Sequence, residues 1–99
     1  MRFEWDEAKN RHNIRKHKIS FETAKLVFDD PLQRSIRDRI VEGEERWQTL
    51  GMIKGLIVVV AHTYREQNGE LVIRIISARK ATSAERRGYE DDEASGERN

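Results

Sequence analysis

Residues 44–79 read EERWQTLGMIKGLIVVVAHTYREQNGELVIRIISAR, and this stretch decides the fold. Alternation over Glu44 to Ile53 puts Trp47, Thr49, Gly51 and Ile53 on one side of a strand. Lys54-Gly55 follows as a short turn. Leu56 to Tyr64 is the most apolar strand, and its unbroken LIVVVA run predicts a central strand covered on both faces. Asn68-Gly69 is a hairpin turn, because both residues tolerate positive φ. From Leu71 to Arg79, strict alternation groups Leu71, Ile73 and Ile75 on one face and Val72, Arg74, Ile76 and Ala78 on the other.

Outward from this core the signals are local. Arg2 to Trp5 reads as a short strand or staple. Asp6 is a helix N-cap followed by acidic Glu7, and the helix runs to about Lys16 with a basic last turn. Ser20 caps a second helix, whose Phe21, Ala24, Val27 and Phe28 share a face and which ends at Asp30-Pro31. Leu32 to Arg37 is a weak strand candidate. Thr82 and Glu85 form a capping box that opens a charged third helix containing Gly88. The expectation is an α+β domain over residues 1–93: a mainly antiparallel, twisted sheet of about four strands, two N-terminal helices and one C-terminal helix. A tail is expected to be disordered over 94–99.

Composition excludes several function classes. The 99-residue chain is 36% apolar and 37% charged, so its core is thin and its surface heavily charged. It lacks cysteine, which removes disulfides, Cys-ligated zinc and thiol chemistry. The longest apolar run, Leu56 to Ala61, is too short to cross a bilayer. The first residues are charged and lack a signal-peptide core, leaving a cytoplasmic protein as the expectation. The near-neutral total hides an asymmetry. Residues 90–99 carry five acids against one Arg, so residues 1–89 hold 18 basic and 13 acidic groups. A basic body with an acidic end fits a polyanion partner.

No phosphate-cradling glycine loop or nucleophile elbow is present. His12 and His17 are five apart, the wrong helical spacing for a metal pair, and Glu7-Ala8-Lys9 lacks the strand-borne acid that a metal nuclease would pair with it. No metal or cofactor is expected. What remains is a density of cations: Arg74, Arg79 and Lys80 close together, then Arg86, Arg87 and Tyr89, with a run from Lys9 to Lys18 of five Lys or Arg, two His and no acid. Guanidinium groups fit phosphate through paired donors. RNA carries its own nucleophile, the 2′-hydroxyl, so a protein need only position it, move protons and neutralise charge.

The segments FEWDEAKNRHNIRKH (3–17) and SFETAKLVFDDP (20–31), the Gly43-Glu44-x-Arg46 pattern, and RIISARKAT (74–82) with Glu85 and Tyr89 resemble the BrnT family of type II toxins over about residues 3–90. The resemblance implies a RelE-like fold and a ribonuclease that blocks translation. It also implies a BrnA-like antitoxin with a ribbon-helix-helix DNA-binding domain, typically in a two-plus-two complex that reaches operator DNA only through the antitoxin. On that basis Arg74, Arg79 and Lys80 are catalytic candidates at the scissile phosphate. Arg74 and Arg79 differ in parity, so only one of them faces the site unless the strand bends or ends before Arg79, and Arg74 shares its face with Lys80, which favours that pair. His17 is the acid–base candidate and Tyr89 a proton donor or base-stacking group, while Arg15, Lys16, Arg46 and Arg86 are candidates for the RNA backbone. Plainer alternatives stand beside them: an ion pair of Arg79 with Glu85 or the tail acids, Tyr89 packing the last helix, His17 and the basic run as solvated surface. The competing function is a non-catalytic nucleic-acid- or protein-binding module that acts only in operon repression with its partner.

Overall fold

The three caps legible in the sequence form. In the computed structural model, which describes residues 1–94, Asp6 accepts from the N–H groups of Ala8 and Lys9 at 2.8 and 3.2 Å and opens helix α1 (Glu7–His17). Lys18, at φ 62°, closes that helix by donating its N–H to the Ile14 carbonyl. Ser20 Oγ accepts from the Thr23 N–H and opens α2 (Phe21–Ala24). Thr82 and Glu85 cap each other's amides at the start of α3 (Ser83–Ala94). The tail expected from 94 onward lies, past Ala94, outside the described residues.

The strands are β1 (Arg2–Glu4), β2 (Arg34–Val41), β3 (Glu44–Ile53), β4 (Leu56–Gln67) and β5 (Glu70–Lys80), in the order β1-β5-β4-β3-β2. The α+β class is as expected, but two details are corrected. The sheet has five strands and is mixed, because β1 adds in parallel beside β5 through Arg2↔Val72, Phe3↔Ile73 and Glu4↔Arg74. A three-residue strand carries almost no periodicity of its own; what recruits it is Phe3, which packs on Phe28 over the buried Ile73. The second N-terminal helix is a single α turn that tightens into a 3-10 turn at Lys25–Asp29. That turn lies directly on Gly51, where an added Cβ would stand 2.8 Å from both Val27 Cγ1 and Val27 O.

Strand β4 feeds both layers, as its continuous apolar run predicts. Val58 and Val60 join Phe21, Ala24, Val27, Ile73, Ile75 and Ala78 under α1, α2 and the 3-10 turn. Phe21 is fully buried there, a contribution of about 2–3 kcal/mol. Ile57 and Val59 face the other way and pack with Leu50 and Tyr89 under α3. Asp30 clips the two layers together across the sheet edge, before β2 begins. Its carboxylate accepts from the Met52 N–H at 2.7 Å and from the Tyr89 hydroxyl of α3. Burial pushes this carboxyl up, but the hydrogen bonds from Tyr89, Leu32 and Met52 outweigh it and leave Asp30 below its ordinary value.

Two β-bulges change which side chains share a face. On β5, Ser77 pairs with Ala61 and Ile75 with His62, so Ile76 is the extra residue. On β2, Arg37 pairs with Trp47 and Arg39 with Arg46, so Asp38 is the extra residue. Each bulge reverses the parity of the strand beyond it.

Candidate functional site

The β5 bulge corrects the strand-parity reading. Arg79 pairs with Val59 and Arg74 with Thr63, and both of those lie on the α3 face of β4. Arg74 and Arg79 therefore share a face, while Lys80, paired with Val58, lies on the opposite one. The Arg74–Lys80 pairing expected from alternation does not form. Arg74 and Arg79 are four residues apart along β4, about 14 Å at strand rise, so they do not meet at one phosphate.

Beyond Glu4, β1 no longer covers the edge of β5, and α1 takes its place. Asn13 does this with a single side chain. Its amide donates to the Ala78 carbonyl at 2.8 Å and accepts from the Ala78 N–H at 3.1 Å, as a neighbouring strand would. It also donates to the Ile19 carbonyl at 2.9 Å and is almost fully buried. Asn10, one turn earlier, accepts from the Phe21 N–H at 2.9 Å. Sequence reasoning missed both. The available signal was two poor helix formers, spaced three apart, inside an otherwise charged helix.

Pinned in this way, the last turn of α1 carries Lys16 and His17 to the end of β5. There they line an open cleft of about 450 Å³ with Arg79, Lys80 and Thr82. Four of the predicted site residues thus meet: Lys16, His17, Arg79 and Lys80. Lys16 and Lys80 are exposed and His17 is half-buried. Arg79 is held end-on by Glu85, with Nη1 at 2.8 Å from Oε1 and Nη2 at 2.9 Å from Oε2. This is the ion pair weighed as its plainer alternative. Hydrogen bonding to Arg79 holds the Glu85 carboxyl down at about 2, and the same contact raises Arg79 further. The pair fixes the guanidinium through Nη1 and Nη2, and its Nε–H makes no hydrogen bond among the described residues.

The other candidates lie elsewhere. Arg74 is exposed and lines a separate hollow with Glu4, Trp5 and Asp6. Tyr89 is 2% exposed, packed on Leu50, Ile57 and Val59, with its hydroxyl donated to Asp30. Arg15 and Arg86 are exposed on α1 and α3, and Arg46 is half-buried on β3. The tryptophans pack edge-on to other rings, Trp5 on Phe21 and Trp47 on Tyr64. No group of three His, Asp or Glu spaced to hold a metal occurs among the described residues. No helix among them is long and apolar enough to cross a membrane.

A small α+β domain whose sheet edge gathers an imidazole, two ammonium groups and a braced guanidinium is equipped to bind and act on a phosphodiester. Comparison with curated proteins finds no match. A family model described as the ribonuclease toxin BrnT of type II toxin–antitoxin systems matches residues 5–85, and the chain belongs to that family. The family makes it a ribonuclease toxin whose partners are an RNA substrate and a protein antitoxin. The match covers every cleft residue.

Proposed function

We propose that this chain is a metal-independent endoribonuclease of RelE-like fold, acting in the cytoplasm to inhibit translation and neutralised by a BrnA-like antitoxin. The observation that carries the reading is the convergence of Lys16, His17, Arg79 and Lys80 on one cleft. His17 takes the proton of the RNA 2′-hydroxyl, and the freed O2′ attacks the adjacent phosphorus. The bond from phosphorus to O5′ breaks, and Lys80 supplies the proton to the departing oxygen. The products are a 2′,3′-cyclic phosphate and a 5′-hydroxyl end. The Nε edge of Arg79, braced by Glu85, donates to the non-bridging oxygens as charge builds on them. Lys16, with Arg15, holds the flanking backbone, and Arg86 extends that hold along α3. Tyr89 acts at a distance, anchoring α3 and so Glu85. The antitoxin carries a ribbon-helix-helix DNA-binding domain in a two-plus-two complex.

The test is expression of the chain alone in a bacterial host, followed by cleavage with purified protein. Growth arrest relieved by the neighbouring reading frame, and cleavage that survives chelator, are the expected results. His17→Ala should lower cleavage by about 10²–10⁴, and Arg79→Ala by about 10²–10³. Folded protein that neither arrests growth nor cuts RNA would instead favour the binding module acting in repression.

A further inference from the structure

The face of the sheet left open beside α3 holds a second array of cations. Arg39 pairs directly with Arg46 across β2 and β3. The β3–β4 ladder ends at Trp47↔His62; continuing its register by one residue brings Arg46 beside Thr63, which pairs with Arg74 on β5. Arg39, Arg46 and Arg74 thus form one transverse row over β2 to β5, at strand spacings of about 4.8 Å. Alternation alone would not assemble it, because the β2 bulge at Asp38 is what turns Arg39 to the face of Arg46.

Three features mark the row as a ligand site and not as part of the scaffold. Like charges directly opposite each other across two strands are destabilising, and Arg39 and Arg46 are such a pair. None of the three arginine side chains makes a hydrogen bond or ion pair with another described residue, and Arg74 feels Glu4 only at longer range. Arg46 Nε is shielded from solvent and has no hydrogen-bond partner among the described residues. A buried donor without an acceptor is costly. An anion on the row relieves the repulsion and supplies the missing acceptor together.

We infer that Arg39, Arg46 and Arg74 bind the phosphate backbone of single-stranded RNA at a second site, about 14 Å along β4 from Arg79 and on the same face. This deepens the ribonuclease reading and rests on it. The row grips the strand a few nucleotides away from the bond being cut, and the cleft performs the chemistry.

The experiment measures binding of a short 2′-O-methyl oligonucleotide, which cannot be cleaved, by fluorescence anisotropy across a salt series. Removing two phosphate contacts in Arg39→Gln/Arg46→Gln should reduce the slope of log affinity against log salt by about 1.4, at 0.7 per phosphate. Affinity at 0.1 M salt should then fall about 25-fold, the same figure converted. Arg39→Gln alone should leave the melting temperature unchanged or raise it, which a structural arginine would not do. Slope and affinity equal to wild type would overturn the inference. So would normal RNA binding combined with lost antitoxin binding, which would reassign the row to the protein partner. Cleavage separates this inference from the reading beneath it. Row variants should raise KM for long RNA and spare kcat, whereas His17→Ala lowers kcat. A wild-type protein with a row-dependent salt slope but no cleavage would defeat the ribonuclease mechanism and leave the row standing.

Discussion

Acid should unfold this protein first through His62. That residue sits on β4 with no exposed surface, between the ring of Phe28 at 5.0 Å and that of Tyr64 at 4.8 Å. Its Nε2 shares a 2.7 Å hydrogen bond with Thr49 Oγ1, which is itself 2.7 Å from Ser35 Oγ. No carboxylate among the described residues is bonded to it, so an imidazolium would have no countercharge there, and the backbone contact of Thr63 offsets only part of the burial. Burial lowers its pKa from 6.5 to about 4. The unfolded chain therefore takes up this proton at a higher pH than the folded one. The associated stability is fully present above 6.5 and is lost as pH falls toward 4. The whole span is worth roughly 3 kcal/mol, of which about 2.5 is gone by about pH 4.5. That is a large part of the 5–15 kcal/mol typical of a domain. Urea unfolding followed by tryptophan fluorescence, from about pH 7.5 down to 4.5, measures the loss. Glu85 does not confuse the result, because its stabilisation is lost lower, from 4.5 down to about 2. In His62→Gln the baseline falls but the dependence over this window should flatten. An equal pH dependence in wild type and variant, or an imidazole signal titrating near 6.5, would refute the reasoning.

Asn13→Leu should cost about 3 kcal/mol by leaving the Ala78 amide and carbonyl unpaired; the melting temperature reads it, and cleavage should drop further than the folded fraction because His17 loses its support. Glu85→Gln should lose about 1–2 kcal/mol after allowance for solvent screening, most of the difference vanishing when both proteins are compared at about pH 2. Tyr89→Phe should destabilise by about 1–1.5 kcal/mol with cleavage per folded molecule unchanged; a fall in kcat would place its hydroxyl in the chemistry. Gly51→Ala should cost about 1–3 kcal/mol, since its Cβ would meet the backbone and side chain of Val27 at 2.8 Å.

What the sequence displayed well was whatever depends on near neighbours. Asp6, Ser20 and the Thr82–Glu85 box announce helix starts because the amides they satisfy are two or three residues away. The continuous run of β4 announces a strand covered on both sides, because neither face can be polar. Arg2 to Trp5 was legible as a short strand or staple, but its parallel place beside β5 was not, since three residues carry little pattern and the partner at Val72–Arg74 is some seventy positions distant. Lys16, His17, Arg79 and Lys80 were recognised by type, but their meeting depends on Asn13, whose partner at Ala78 is 65 residues away. That β5 is irregular between Arg74 and Arg79, the condition for the two to share a face, was not legible for a comparable reason. Bulges arise from strand pairing, and nothing in RIISAR marks Ile76 as the residue that drops out of the ladder.

The bulge at Ile76 acts as a frame shift within a strand. If Ile76 were instead drawn into the ladder, with no residue changed, alternation would run uninterrupted and every pair beyond it would shift by one. Arg79 would turn into the apolar layer under α1, Lys80 would turn outward, and Glu85 would lose its partner. A slip of register by one, with no change of sequence, would disassemble the cleft. The hairpin turn at Lys54-Gly55, by contrast, has open space around its glycine and lies at a loop tip, where insertions are best tolerated. The segment from Arg74 to Lys80 is thus constrained in register as tightly as in identity.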